Sequence, residues 1–442
     1  MSQHETILIC VPELFIIRNI LRTAFVDMLR KDRPLSRIIF AAPPALVESL
    51  TKEFASQGII IVPLQRGPRS LLDGALGFLG RNGLYTGTND VMQRRAWESG
   101  QSSIPPLCKR VLGHVLGNAW LLRSLLRACE GYVPRHDSVR ALFDTYAPTI
   151  VFSTVLTDTD VDAQILREAK ARRIPTVGMV RSWDNLTGFG YLRQLPDYFF
   201  AQSEYIAETA VLLHDIPRSR ITVTGLPHYD FYTDVSLRGS REALCAKLGL
   251  NPEKKIILYG AIGEFLFPHE ADMGRIIGRV AEELGAQAIF RPHPAFPMHE
   301  RLSTTATVTL DDQDLSSLPH LIESLAHADV VVTTGSTLMV DASCFDTPVV
   351  TVAFDGERIA SNPWLSVARF YDYFTHIVRL INRTRGVRVV RSERELTEAV
   401  RAYLADPALD GAGRAAIVEH FASPLGGAGQ RLAQALIATA SR

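Results

Sequence analysis

Between Ala286 and Val352 the chain twice runs an apolar strand into a polar break. The first break is Arg291-Pro292-His293-Pro294. The second follows Asp329-Val330-Val331-Val332-Thr333-Thr334 and turns at Gly335-Ser336-Thr337 into a helical pattern beginning near Leu338. The C-terminal ends of strands are where open parallel sheets take their ligands. Gly335 frees the backbone, Ser336 and Thr337 bring hydroxyls and amides, and the helix that follows points its first N–H groups outward, which is the chemistry of a phosphate site. His293 could donate an N–H to the same phosphate. Arg291 could pair with that phosphate or with a sugar carboxylate; as a structural residue it would instead pair with Asp329 or Asp341. About one turn into the helix, Asp341 offers a carboxylate to ribose hydroxyls. Singly, His-Pro is a strand-ending turn and Gly-Ser-Thr an ordinary helix cap. Together, at successive strand exits, they indicate a site for a nucleotide mono- or diphosphate in the C-terminal half.

A third exit lies upstream. The strand Thr176-Val177-Gly178-Met179-Val180 leads into Arg181-Ser182-Trp183-Asp184-Asn185-Leu186-Thr187-Gly188-Phe189-Gly190, a polar, glycine-rich loop of the kind that faces a ligand. Asp184 could take a proton from an acceptor hydroxyl, with Asn185 and Thr187 orienting that hydroxyl; the alternative is a solvated Asx-turn. Thr157-Asp158-Thr159-Asp160 reads first as a helix N-cap at Thr159 or Asp160. Asp158 and Asp160 also fit an Asp-x-Asp spacing, but they lie in the wrong half to meet the phosphate site.

These exits need a scaffold, and the pattern supplies one. Short apolar runs alternate with helical ones from the N-terminus, which argues for α/β architecture with parallel sheets. Residues 1–235 read as one doubly wound domain interrupted by a helical insertion at about 66–140. Residues 236–442 read as a second, with a cleft between them as the default site. Length agrees, since 442 residues exceed one ordinary core. Lys+Arg 47 balances Asp+Glu 47, so no global field recruits nucleic acid. Five scattered cysteines without a CxxC pair suggest reduced core residues, not a disulfide frame or a zinc site. A polar Met1-Ser2-Gln3-His4-Glu5 start and the lack of a long uncharged apolar run predict a cytoplasmic protein that does not span a membrane. The stretch Leu107–Cys129 mixes Lys109, Arg110, Arg123 and Arg127 with Val, Leu and Trp120. It reads as a core-facing helix, with peripheral contact to a membrane face as the alternative.

The chain resembles the nucleotide-dependent transferases of the GT-B fold that build bacterial surface polysaccharides. Arg291-Pro292-His293-Pro294, Asp329, Gly335 to Asp341 and Pro348-Val349-Val350 look like the nucleotide-binding half of CDP-glycerol glycerophosphotransferases and of CMP- or UDP-sugar transferases. Thr224-Gly225-Leu226-Pro227-His228-Tyr229-Asp230 looks like that group's Gly-x-Pro-x-x-Asp. The Ser182 to Thr187 loop stands where the glycerophosphotransferases carry Trp-His-Gly-Thr with a catalytic base. The resemblance spans roughly residues 145–360. It implies two Rossmann-like domains facing a cleft, a nucleotide-activated donor, a glycan or glycolipid acceptor and no separate cofactor. It also implies that Gly263, in Gly260-Ala261-Ile262-Gly263-Glu264-Phe265, brings a backbone amide to donor phosphate; Glu264 beside it could bind donor sugar hydroxyls, with a plain loop carboxylate as the alternative, and Glu264 and then Asp160 are the next candidates for the base after Asp184. Asp184 replaces the family's His. That favours an inverting, metal-independent glycosyltransferase over two alternatives, a CDP-glycerol-type polyol-phosphate transferase and an isomerase like the UDP-N-acetylglucosamine 2-epimerases.

Overall fold

A computed structural model describes residues 5–157, 160–294, 296, 307–315, 317–358 and 362–441. Its strands are short apolar runs such as TILIC and IILYG, buried along their whole length. They lack polar alternation because helices cover both faces of a parallel sheet. The described strands form two sheets in which every pairing is parallel. The first holds β1 (Thr6–Cys10), β2 (Arg37–Ala42), β3 (Ile60–Pro63), β4 (Ile150–Ser153), β5 (Thr176–Gly178), β6 (Tyr198–Ala201) and β7 (Ile221–Val223), in the order β3-β2-β1-β4-β5-β6-β7. The second holds β8 (Ile256–Gly260), β9 (Gln287–Arg291), β10 (Val308–Leu310), β11 (Val330–Thr333), β12 (Val349–Val352) and β13 (Arg388–Val390), in the order β10-β9-β8-β11-β12-β13. These are the doubly wound sheets expected. Each reverses direction once, between β1 and β4 and between β8 and β11, and crevices open at those reversals.

The chain divides into two compact units, one of Met1–Asn89, Ile104–Asp230 and Ser423–Arg442, the other of Asp90–Ser103 and Phe231–Ala422. Two features differ from the expected division at 235/236. The final helix, Ala428–Ala440, returns to the first unit. Asp230, the last residue of the Gly-x-Pro-x-x-Asp motif, accepts from the amides of Ala428 at 2.7 Å and Gly429 at 2.8 Å. It thereby caps that helix, which fixes where the returning chain docks. Within the helical insertion, Asp90–Ser103 belongs to the second unit. Arg94 lies 3.8 Å over the Trp364 ring, and Arg95 donates to the Leu266 carbonyl at 2.6 Å.

The stretch Leu107–Cys129 also corrects its expectation of a core-facing helix. It forms two helices, Pro106–Asn118 and Trp120–Cys129, that leave Leu107 68% and Trp120 65% exposed, with Val111, Val115, Leu121 and Leu125 outward as well. Arg123 and Arg127 turn inward onto Asp215, at 2.7 and 2.8 Å, and leave the apolar residues on the outer face. No described helix is long and apolar enough to cross a membrane. Of the five cysteines, all free, Cys10 and Cys245 are buried but Cys108 is exposed.

Candidate functional site

The crevice between β8 and β11 is built from the backbone up. Thr333, the last residue of β11, donates its hydroxyl to the Gly260 carbonyl at 2.8 Å and lies 3.0 Å from the Ser336 hydroxyl. Ser336 Oγ accepts from the Leu338 amide at 3.1 Å. Gly335 sits at φ +61°, in the left-handed region, and a Cβ there would lie 2.8 Å from Ile377 Cδ1. Its N–H donates to Thr351 Oγ1 at 3.3 Å, and that hydroxyl is bonded to Tyr371 Oη. Burial pushes the Tyr371 phenol well above its ordinary pKa, so it stays neutral. The turn is thus held rigidly from beneath. Among the described residues, the amides of Ser336 and Thr337 reach no acceptor, and the Thr337 side chain is exposed. Two adjacent N–H groups at a helix start can receive an anion.

The facing wall, after β8, is organised by a residue that sequence reasoning missed. Glu270 is fully buried and accepts from the amides of Ile262 at 2.8 Å and Gly263 at 2.7 Å and from Tyr259 Oη at 2.9 Å. Burial pushes its carboxyl up to about 7, against the opposing pull of those hydrogen bonds. The expectation that the Gly263 amide reaches donor phosphate is corrected by this contact, because that N–H is already spent on Glu270. Gly263 is needed for a different reason: it adopts φ +92°, and a Cβ there would lie 2.5 Å from Cβ of Phe296. Glu264, one residue on, is half-buried in the turn. Nothing in His269-Glu270-Ala271-Asp272 distinguishes Glu270 in sequence, since the run reads as the polar approach to the helix Asp272–Glu283.

At the end of β9 the two candidate residues part company. His293 is half-buried and its ring stacks on Phe296 at 4.8 Å, with Phe296 in turn stacked on exposed Phe265 at 6.1 Å. Arg291 points away from this surface. It is 5% exposed, bonded to Asp311 Oδ2 at 2.6 Å and to the Leu315 carbonyl at 3.0 Å. Asp311 also meets His320 Nε2 at 2.9 Å. Both expectations for Arg291 are therefore corrected, the donor phosphate and the pairing with Asp329 or Asp341. Asp329 instead binds Arg241 at 3.0 Å and Lys255 at 2.8 Å. Asp341 is buried and accepts from Tyr232 Oη at 3.1 Å, which ties its carboxylate inside the unit and corrects its assignment to ribose.

In the first unit, Asp184 opens the four-residue helix Asn185–Gly188. Its carbonyl accepts from the amides of Thr187 and Gly188, both at 2.9 Å. Its carboxylate is partly exposed, and its one contact among the described residues is the amide nitrogen of Asn185 at 3.4 Å. Among the described residues, no cation pairs with this carboxylate. Asn185 and Thr187 do not orient a substrate as expected. Both are buried: Asn185 Oδ1 accepts from the amides of Arg181 and Ser182 at 3.0 Å, and Thr187 Oγ1 donates to the Asp184 carbonyl. They stiffen the loop that carries Asp184. Asp158 and Thr159, within the expected cap of the following helix, lie outside the described residues.

Residues 180–363, from the Asp184 loop through Glu270 and the Gly335 turn, match the family CDP-Glycerol:Poly(glycerophosphate) glycerophosphotransferase. Among curated proteins none matches the sequence. Solved structures share the fold across the chain. The calicheamicin glycosyltransferase CalG4 superposes with TM-score 0.56 at 13% identity, covering 100% of this chain and 99% of that one. The wall teichoic acid polymerase TagF gives 0.53 at 11%, covering 99% and 89%. The UDP-GlcNAc 2-epimerase from Neisseria meningitidis gives 0.53 at 12%, covering 98% and 100%.

Proposed function

We propose that this chain, a GT-B-fold nucleotide-dependent transferase related over residues 180–363 to the glycerophosphotransferases, moves a sugar from a nucleotide donor to a bacterial surface glycan or glycolipid. The observation that carries the reading is the pair of open amides at Ser336 and Thr337, set on a turn locked by Thr333, Thr351 and Tyr371. Donor phosphate would take these amides, with the Thr337 hydroxyl and His293 as further donors. The acceptor hydroxyl oxygen attacks the anomeric carbon, its proton passes to Asp184, and the bond from that carbon to the phosphate oxygen breaks as the nucleotide leaves. Charge developing on the leaving phosphate is where fixed N–H dipoles contribute most.

Glycerophosphate transfer is the second reading, favoured by the family match over 180–363. There the acceptor oxygen attacks phosphorus and a nucleoside monophosphate leaves. The two are separated by a thermal-shift screen with CMP, CDP, UDP, GDP and ADP, followed by turnover with the matching donor. A nucleotide at about a hundred times its dissociation constant adds about 2.7 kcal/mol of stability. Cytidine nucleotides and turnover of CDP-glycerol would support the second reading, and UDP with turnover of a UDP-sugar the first. No shift with any nucleotide sinks both.

A membrane-facing role fits the outer surface of the helices Pro106–Asn118 and Trp120–Cys129. Leu107, Val111, Val115, Trp120, Leu121 and Leu125 form an exposed apolar patch next to Lys109 and Arg110, the composition of an interfacial surface. Co-sedimentation with anionic vesicles tests it. Replacing Val111, Trp120 and Leu125 by Ser should abolish sedimentation, and a variant that still pellets with lipid rules the surface out.

A further inference from the structure

The helix Gly87–Glu98 carries its chain into the second unit as part of Asp90–Ser103, although the sequence on both sides of that segment belongs to the first. What the excursion delivers is Arg95. This residue is 6% exposed, and its guanidinium forks between two loops of the second unit. Nη2 donates to the Leu266 carbonyl at 2.6 Å, while Nη1 donates to the Leu365 carbonyl and lies 3.5 Å from that of Trp364. Its Cζ sits 5.3 Å from the centroid of the Phe370 ring, a cation–π contact.

These partners belong to the two walls of the β8/β11 crevice. Leu266 closes the turn after β8: the amides of Leu266 and Phe267 both donate to the Gly263 carbonyl at 3.0 Å, and the Gly263 amide is held by Glu270 at 2.7 Å. A buried carboxylate thus ties the start of that turn and a buried guanidinium its end. On the other side, Leu365 leads into the helix Ala368–Tyr373. Phe370 and Tyr371 of this helix underlie Gly335, their Cδ2 and Oη atoms lying 3.7 and 3.8 Å from where a Cβ on Gly335 would sit. Arg95 bonds to both walls at once.

Energetics separates such a tie from packing. A cation taken out of water is costly to bury, and an aliphatic side chain would fill the same volume without that cost. An aliphatic side chain cannot, however, bond carbonyls of two different segments in one fixed plane, which the rigid fork of a guanidinium does. The Asp355 carboxylate attracts the guanidinium and also accepts the Val367 amide at 2.8 Å, which draws the second wall into the same network. Docking of the helix itself has other anchors: Arg94 lies 3.8 Å over the Trp364 ring, and Glu98 accepts from Asn362 Nδ2 at 2.7 Å.

We infer that Arg95 is a positioning residue for the nucleotide: it acts through the turn 263–267 and the helix beneath Gly335, fixing one against the other so that both walls are set before the nucleotide arrives. Preorganisation of this kind contributes affinity without a contact to the ligand. The inference rests on the proposed nucleotide site in the second unit, whereas the tie between the walls does not.

The test combines calorimetric titration of the full chain with CMP, CDP, UDP, GDP and ADP and amide hydrogen exchange of the unliganded chain, in the wild type, Arg95→Met, Arg95→Lys and Glu98→Ala. Arg95→Met keeps the bulk and loses the fork, Arg95→Lys keeps the charge and loses the planar set of donors, and Glu98→Ala loosens the same helix without touching either wall carbonyl. Affinity for the nucleotide that the wild type binds should fall about tenfold or more in Arg95→Met, by a smaller factor in Arg95→Lys, and hold in Glu98→Ala. Exchange at the amides of Leu266, Phe267 and Phe370 should quicken in both Arg95 variants and stay at the wild-type rate in Glu98→Ala. A residue that only anchors the helix would lower the melting temperature and leave affinity and these amides unchanged, a result that overturns the inference, as does an affinity loss in Glu98→Ala equal to that in Arg95→Met. Should Arg95→Met not fold, Arg95→Lys carries the same comparison, and wild-type affinity in it overturns the role of the fork. If the wild type binds none of the nucleotides, the donor reading fails by itself; quickened exchange at the walls in Arg95→Lys then keeps the tie, and unchanged exchange removes it.

Discussion

Glu270 holds Gly263: its Oε2 accepts the Gly263 amide at 2.7 Å while Oε1 takes the Ile262 amide and the Tyr259 hydroxyl. A single buried carboxylate therefore sets the backbone after β8, which faces the Gly335 turn across the sheet reversal. Raising its pKa from the ordinary 4.5 to about 7 corresponds to on the order of 3 kcal/mol. The sign follows from proton counts. Between these values the folded chain binds more protons at Glu270 than the unfolded chain, so this group's contribution to stability falls as pH rises from about 4.5 to about 7. Glu270→Gln should remove that component. Subtracting the variant's denaturation free energies from the parent's across pH 5 to 8 should leave a declining difference curve, and a flat one would mean Glu270 is ionised throughout. The variant should also bind nucleotide more weakly, because a Gln side chain cannot accept from both loop amides and keep the Tyr259 bond with the same two oxygens.

Gly335→Ala should retain the fold and lose the donor. The left-handed backbone costs an L-residue roughly 1–2 kcal/mol, and the added methyl would press on Ile377 Cδ1. Relief moves the turn and with it the amides of Ser336 and Thr337. We expect nucleotide affinity to drop tenfold or more with a modest loss of melting temperature. Wild-type affinity in this variant would place the phosphate elsewhere. Ser336→Ala should be milder for binding and cost about 1 kcal/mol of stability, since its hydroxyl caps the Leu338 amide.

The doubly wound sheets and the Gly335 turn were legible because apolar runs, glycines and hydroxyls carry their meaning locally. The partners of buried charges were not. Arg291 sits beside a polar strand exit in sequence, yet Asp311, twenty positions on, claims its guanidinium. Asp341 lies one turn along from the Gly335 turn but faces Tyr232, more than a hundred positions away. The same holds for Glu270, whose partners are amides that any residue type could supply. The outward face of Leu107–Cys129 misled for a related reason: amphipathic spacing says that one side is apolar without saying what covers it. Return of the final helix to the first unit depended on Asp230, visible as part of a motif but silent about which amides it would cap.

His214 links pH to the Asp184 loop. It is fully buried, with Nε2 at 2.8 Å from the Leu186 carbonyl and Nδ1 accepting the Leu192 amide at 3.2 Å, so the neutral ring with its proton on Nε2 bridges both ends of that segment. Burial lowers its pKa from 6.5 to about 4. The stability it contributes is present above about 6.5 and is lost as pH falls toward 4, because the unfolded imidazole takes up the proton first. Hydrogen exchange at Leu192 should accelerate as pH drops through this window, after correction for intrinsic rates. Exchange that tracks the intrinsic rate alone would mean another group supports the loop.

Asp184 carries the base assignment, and its geometry makes a sharp test available. Its backbone carbonyl holds the helix Asn185–Gly188 through two amides, while its carboxylate has one long contact, at 3.4 Å, with Asn185. Asp184→Asn keeps the shape and the backbone bonds and removes only the proton acceptor. A base that acts in the transition state and not in donor binding should, when lost, lower kcat roughly a hundredfold or more while nucleotide affinity stays near the parent's. The melting temperature should hardly move, since among the described residues no cation is left unpaired by the change. Activity should also respond differently to the acceptor: one whose hydroxyl is more acidic needs the base less, so the ratio of parent to variant kcat should shrink as acceptor pKa falls. A ratio that stays constant across acceptors, with kcat depressed, would make Asp184 a positioning residue. Near-parental turnover would remove it from the chemistry and bring Glu264, half-buried after β8, forward as the next carboxylate to replace.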